Sequence, residues 1–160
     1  MENKPTNKSA FDAAVKYLAA SPRSEKEVKE KLYQKGYHKN EVEEALKKCR
    51  EYRYLDDEAY VKSYLLSYGE KYGRKKIIYA LTFEKNVDKQ VVEDIVFEAL
   101  TDETEKEKGI RFAKKYIEQK QAETKAELQK VGAHLYSKGF DYAVITSVMA
   151  ALRLPTGEEC

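Results

Sequence analysis

The amino-acid sequence predicts an all-α protein built from three tandem three-helix repeats. Apolar residues recur every three or four positions, and only three prolines and seven glycines interrupt the 160 residues. One apolar pattern occurs three times, with shifts of 50 and 103 residues. Its copies are Val42, Ala45, Leu46 and Cys49; Val92, Ile95, Val96 and Ala99; and Ile145, Val148, Met149 and Leu152. Repeats of about fifty residues bury little core alone, so we expect neighbours to share surface in an elongated row.

Signals for helix starts and ends set the expected boundaries. They are a disordered N-terminus at 1–8, repeat 1 at 9–53, repeat 2 at 54–101, repeat 3 at 102–153 and a disordered tail at 154–160.

Repeat 1 begins with a helix whose apolar stripe runs from Phe11 to Leu18. Ser24 and Glu27 form a predicted capping box that starts the second helix. Asn40 is predicted to cap the third helix.

The three helices of repeat 2 are expected to start at Asp56, Arg74 and Asp88. The helix that starts at Arg74 is expected to carry Ile77, Ile78 and Leu81 on its inner face. Asn86 occupies the place that Gly36 has in repeat 1, and both residue types tolerate the left-handed conformation that ends helices.

Repeat 3 has two predicted capping boxes, Thr104 with Glu107 and Thr124 with Glu127. Gly139 repeats the turn glycine of repeat 1.

Composition limits the classes of function. With 42% hydrophobic and 36% charged residues and a formal net charge of +2, the chain is not expected to coat nucleic acid by bulk charge. The start of the chain is polar, and no run of about 18 apolar residues occurs, so we expect a cytoplasmic, reduced protein without a membrane partner. Cys49 is expected in the core and Cys160 in the tail, with no metal site and no cofactor.

One cluster of cations breaks a local rule. It comprises Lys71, Arg74, Lys75 and Lys76. Residues 74–76 place three cations in a first helical turn, where the helix dipole costs a few tenths of a kcal/mol each, roughly, at exposed sites. Such a violation suggests a binding role, here capture of a phosphate or carboxylate. A solvated helix start paired with Glu70 or Asp57 is the alternative.

Further cations are weaker candidates for binding an anionic partner. They are Arg111, Lys114 and Lys115, with Lys108 one turn earlier, and Arg23 and Arg53, which precede helices. These side chains are either solvated or salt-bridged, or they face a ligand. A series of tyrosines at positions 60, 64, 68 and 72 is expected either to pack between repeats or to lie exposed in a groove.

No catalytic residues are predicted. His38 and His134 lack partners that would indicate a nucleophile, a base or a metal site. The glycines are scattered, so there is no phosphate-binding loop. The acidic residues 56–58 are interpreted as helix-capping groups.

Three segments resemble the RecX family, bacterial regulators of the RecA recombinase. Residues 54–60, YLDDEAY, are similar to the family's YLDDxxFA stretch. A second segment has Gly73, Arg74, Ile77, Leu81, Lys85 and Val87, similar to G-x-x-I-x-x-x-L-x-x-K-G-I with Asn86 in place of a glycine. A third has Leu18, Arg23, Ser24, Glu25, Val28, Leu32 and Gly36, similar to L-x-x-R-x-x-S-E-x-E-L-x-x-K-L.

The resemblance implies a curved, all-helical array that lies in the groove of the RecA filament on single-stranded DNA. It further implies a protein without enzymatic activity that inhibits ATP hydrolysis, strand exchange and co-protease activity by limiting filament growth or promoting disassembly. The expected state is a monomer. An independent DNA-binding protein and a helical-repeat scaffold for other proteins are the alternatives. Reversing Arg74 and Lys75 to glutamate is expected to abolish inhibition and leave the helical fold intact.

Overall fold

The computed structural model describes residues 9–156, and this range is all-helical, as predicted. Its α-helices, in chain order, are α1 (Ala10–Ala20), α2 (Glu25–Gln34), α3 (Lys39–Glu51), α4 (Asp57–Tyr68), α5 (Arg74–Tyr79), α6 (Lys89–Ala99), α7 (Asp102–Lys120), α8 (Lys125–Ser137) and α9 (Tyr142–Ala151). A π-helix, Ala80–Glu84, directly follows α5. The predicted disordered N-terminus and most of the predicted tail, with Cys160, lie outside the described residues.

The chain divides into two compact units. The first compact unit comprises the described chain through Ser63 together with Ala80–Glu93. In it, α1, α2 and α3 pack on one another. Their shared core includes the fully buried Ala14, Val28, Val42 and Cys49. Burial raises the pKa of the Cys49 thiol, which is therefore an inert core group, as predicted.

The second compact unit comprises Tyr64–Tyr79 and the described chain from Asp94 onward. In it, α7, α8 and α9 pack on one another. The core includes Val131, Leu135 and Phe140, each with no exposed surface. This division into two units does not test the predicted boundaries of the three repeats, which stay a prediction.

The recurring apolar positions lie mostly inward. Val42, Ala45, Leu46 and Cys49 are buried on α3, and Ile145, Val148 and Met149 are buried on α9. On α6, Val92 and Val96 are fully buried. Ala99 is exposed, so the prediction is wrong at that position.

Two of the three predicted capping boxes are confirmed. Ser24 with Glu27 and Thr124 with Glu127 each exchange both hydrogen bonds. The Thr104–Glu107 box is wrong, because α7 starts earlier and Thr101 accepts from the backbone N–H of Thr104.

Of the predicted single-residue caps, two are confirmed and one is wrong. Asp56 accepts from the N–H of Ala59 at 3.1 Å, and Asp88 accepts from the N–H of Gln90 at 2.9 Å, as predicted. Asn40 is not a cap, because α3 begins at Lys39 and the preceding His38 makes no side-chain cap bond.

The predicted left-handed turns are present. Gly36, Asn86 and Gly139 have φ of 92°, 55° and 93°. The helix predicted to start at Arg74 begins there, and after Tyr79 it continues as the π-helix, with the N–H of Lys85 bonded to the carbonyl of Ala80 at 3.0 Å. Leu81, predicted on its inner face, is fully buried.

Within residues 9–156, no helix combines the length and the apolar character needed to cross a membrane.

Candidate functional site

A buried ion pair on α7 holds the segment that carries the first basic cluster. Glu105 and Lys108 pair with each other and are 0% and 2% exposed. The Lys108 ammonium donates to the carbonyls of Gly69 at 2.9 Å and Tyr72 at 2.8 Å. Glu105 accepts from the backbone N–H of Arg74 at 2.5 Å. The pair therefore fixes both ends of the loop between α4 and α5.

The turn after α8 holds the same segment through its backbone. The N–H of Gly73 donates to the carbonyl of Lys138 at 2.8 Å, and the N–H of Lys75 donates to that of Gly139 at 3.0 Å. A Cβ atom on Gly73 would collide with the backbone of Gly139 and Phe140. The close backbone approach requires glycine at position 73.

Arg74 lies inside the second compact unit and is only 6% exposed. Its guanidinium donates to Asp141 at 2.7 Å, Asp102 at 2.5 Å and the carbonyl of Leu100 at 2.8 Å. It also lies 4.8 Å from the centroid of the Phe97 ring. Burial alone would lower the pKa of Arg74, but the hydrogen bonds to the two aspartates more than offset this, and the pKa is raised.

These contacts explain the cation in the first turn of α5. Carboxylates from α7 and from the start of α9 offset the unfavourable interaction of the Arg74 cation with the helix dipole. The backbone N–H of Arg74, which has no acceptor within α5, donates to Glu105. The role predicted for Arg74 in binding is not tested by this geometry, but its side chain is committed to internal partners.

The neighbouring lysines have a different environment. Lys71, Lys75 and Lys76 are exposed, and none forms an ion pair with a carboxylate of the described residues. Their ammonium groups lie 5.5 Å, 5.2 Å and 4.7 Å from the ring centroids of Tyr68, Tyr136 and Tyr72, respectively. We call these six residues the lysine–tyrosine face.

Aromatic rings continue along this face. The ring centroids of Tyr64 and Tyr68 are 4.6 Å apart, and those of Tyr68 and Tyr72 are 6.2 Å apart. Tyr136 is 62% exposed and Tyr68 is 37% exposed. The face therefore combines accessible ring surface with three cations that have no carboxylate partner between residues 9 and 156.

The second basic cluster is divided by the structure. Arg111 pairs with Glu70 at 2.8 Å, so Glu70 is occupied by a cation other than the lysines of the first cluster. Lys114 and Lys115 are exposed on α7. Lys108, which the sequence placed beside them, is buried.

The two candidates of the first compact unit lie in different settings. Arg23 is half-buried, 3.5 Å from the carboxylate of Glu27, with its guanidinium 4.8 Å from the Tyr17 ring centroid. Arg53 is exposed and has a left-handed backbone with φ of 60° at the end of α3. The binding roles of both stay predictions.

The sequence-based reasoning missed Glu105, Lys108 as a buried group, and Tyr136. Glu105 and Lys108 are three residues apart on a helix, a spacing that solvated ion pairs also have. Tyr136 carries no local signal, because its place beside Lys75 depends on the packing of α5 on the turn after α8.

The histidines and acidic groups are not arranged as a metal centre. Across the described residues, no three side chains of His, Cys, Asp or Glu are grouped to hold a metal ion. His134 stacks on Tyr116 with ring centroids 4.3 Å apart. Burial lowers the pKa of His134, and Lys138 and Lys120 lower it further.

The all-helical fold, with a packed three-helix group in each compact unit, is that of a helical-repeat protein. Residues 10–49 match the family model for the first three-helix domain of RecX, and residues 103–149 match that for the third. A regulatory protein RecX of Clostridium perfringens is 32% identical over 147 residues, covering 88% of this chain and 67% of the relative. One from Caldanaerobacter subterraneus is 30% identical over 148 residues, covering 92% and 71%. The chain belongs to the RecX family.

Solved structures agree with this assignment. RecX from Lactobacillus salivarius superimposes with a TM-score of 0.78 at 27% identity, covering 90% of this chain and 94% of that one. A second regulatory protein RecX gives a TM-score of 0.79 at 26% identity, covering 88% and 70%. The chain spans about two thirds of the length of its clostridial relatives.

Proposed function

We propose that this chain is a non-enzymatic regulator that binds the RecA filament on single-stranded DNA and inhibits RecA. Inhibition would act on ATP hydrolysis, strand exchange and co-protease activity, by blocking filament extension or by promoting disassembly. The supporting observation is the lysine–tyrosine face, which presents three exposed cations without carboxylate partners among the described residues. The proposal also rests on membership of a family whose members are named regulatory proteins.

The contact set is narrower than the one that the sequence suggested. We assign contact to Lys71, Lys75 and Lys76, with Lys114 and Lys115 as a second, independent candidate. Arg74 is left out because its guanidinium is already bonded to Asp102 and Asp141. We further propose that the chain acts in the cytoplasm as a monomer.

The test is the DNA-dependent ATP hydrolysis of RecA, with this protein added at sub-stoichiometric ratios. The variant Lys75→Glu/Lys76→Glu should lose inhibition at least about tenfold, because each reversal replaces an attraction by a repulsion. The matched control is Lys125→Glu/Lys130→Glu, two exposed lysines of α8 with the same change in net charge. It should inhibit like the unmodified chain.

Three outcomes oppose the proposal. Absence of inhibition under conditions where RecA is fully active rejects RecA as the partner. Equal inhibition by both variants rejects the face. Tight duplex binding with a steep salt dependence in the absence of RecA favours an independent DNA-binding protein.

A further inference from the structure

We infer that the lysine–tyrosine face binds unpaired bases, which stack on Tyr72 and Tyr136 while Lys75 and Lys76 contact the adjoining phosphates. The inference rests on the proposed function and names the ligand of the same face. It assigns the face to a single-stranded nucleic acid, in preference to an acidic protein surface or a duplex.

The rings of the face are accessible to a ligand. Tyr136 keeps 62% of its surface exposed on α8, and Tyr72 is half-buried. A ring needed only for the core would be buried, as Phe140 is in the same compact unit. Exposed aromatic rings beside cations are the two components of sites that bind single strands.

Each ring of the face can interact with an ammonium group or with a base. An exposed ammonium over an aromatic ring strengthens an association by roughly two- to fivefold. A base stacked on a ring contributes roughly five- to 150-fold. A base can therefore displace Lys75 from Tyr136, or Lys76 from Tyr72. The displaced ammonium stays tethered beside the ring, where a phosphate of the same strand can reach it.

An acidic protein surface and a nucleic-acid duplex fit the face less well than a single strand. An acidic protein surface would pair with the three ammonium groups through its carboxylates, and that pairing does not require ring faces beside the cations. A duplex hides its bases inside the helix, so only its phosphates would meet the face. Each of the three rings lies beside one ammonium group, as each base of a strand lies beside a phosphate.

The backbone that carries the lysines of the face is preorganised. The loop that carries Lys71 is held by Lys108 through the carbonyls of Gly69 and Tyr72. The first turn of α5 is held by backbone bonds to Lys138 and Gly139. Because this backbone is fixed before a strand arrives, binding orders only the side chains of the face.

The experiment measures binding of the full chain to labelled oligonucleotides in the absence of RecA. Three probes of equal length are compared, namely an oligodeoxyadenylate, the same backbone with abasic sites throughout, and a duplex. We expect the oligodeoxyadenylate to bind at least about tenfold more tightly than the abasic strand, from stacking on two rings. A 2-aminopurine in the strand should lose fluorescence on binding.

The variants separate the rings from the charges. Tyr72→Leu/Tyr136→Leu should lower affinity for the oligodeoxyadenylate to that for the abasic strand, whereas Tyr72→Phe/Tyr136→Phe should keep the preference because the ring remains. Lys75→Glu/Lys76→Glu should weaken binding of both strands. Circular dichroism checks the fold of each variant, and the comparison of the oligodeoxyadenylate with the abasic strand on the unmodified chain carries the test if the leucine pair fails to fold.

Equal affinity for the abasic strand, equal affinity for the duplex, or a base preference that persists in the leucine variant would overturn the inference. Loss of RecA inhibition is measured separately. A chain that inhibits RecA but shows no base preference keeps the proposed function and refutes the stacking. A chain that shows base preference but no inhibition keeps the stacking and refutes the proposed function.

Discussion

Replacing Arg74 with alanine should destabilise the second compact unit strongly, although the residue lies in a cluster of surface cations. The hydrogen bond to Asp141, whose side chain is 29% exposed, is charge-assisted and contributes about 1.5–3 kcal/mol. The bond to the carbonyl of Leu100 adds about 0.5–1.5 kcal/mol. Asp102 is 88% exposed, so its ion pair adds about 0–1 kcal/mol. Because these terms share one side chain and are not additive, we expect a total loss of about 3 kcal/mol.

The assay is chemical denaturation followed by circular dichroism and tyrosine fluorescence, supported by thermal melts. For a chain of this size, a loss of 3 kcal/mol corresponds to a fall in Tm of about 6–12 °C. Lys75→Ala is the matched control and should change the free energy of unfolding by less than about 0.5 kcal/mol. An Arg74→Ala variant within about 0.5 kcal/mol of that control would refute the structural role of Arg74.

Three further results are expected. Gly73→Ala should lower the free energy of unfolding by about 2 kcal/mol or more, because the new Cβ meets the turn after α8; a denaturation midpoint equal to that of the unmodified chain would contradict the close approach. Thr101→Ala should cost about 1 kcal/mol through loss of the α7 cap, and Thr101→Ser, which keeps the acceptor, should recover most of it in the same assay. His134 has a lowered pKa in the folded chain, so the folded state binds fewer protons, and stability should fall as pH drops through about 6.5 towards the folded pKa. His134→Phe, which keeps a ring against Tyr116, should remove that part of the pH dependence, and an unchanged difference between neutral and mildly acidic buffer would contradict it.

Much of the fold could be predicted from the sequence because its signals are local. Apolar spacing located the buried faces of α3 and α9, and side-chain caps at Ser24, Asp56 and Asp88 located helix starts. The wrong cap at Thr104 came from a competing acceptor three residues earlier, at Thr101. Both threonines satisfy the same local rule, and only the packing of α7 selects between them.

The site was less predictable because its partners are distant in sequence. Arg74 bonds to groups 26, 28 and 67 residues away, and its backbone bonds to Glu105, 31 residues away. Periodicity and capping rules carry no information at such separations. The cluster of cations breaks a local rule, but that rule alone does not distinguish an internal carboxylate from an external anion.

Adjacent cations in this chain are divided by their chemistry. The planar guanidinium of Arg74 satisfies three acceptors in fixed directions while buried, which a lysine ammonium cannot do with the same geometry. The ammonium groups of Lys75 and Lys76 sit on flexible stems and lie over the exposed ring of Tyr136 and the half-buried ring of Tyr72, from which they can move to a ligand. The earlier expectation that reversal of Arg74 and Lys75 leaves the fold intact therefore changes. A glutamate side chain at position 74 would face Asp102 and Asp141, so lost inhibition in that variant would report unfolding, whereas reversal at positions 75 and 76 reports binding.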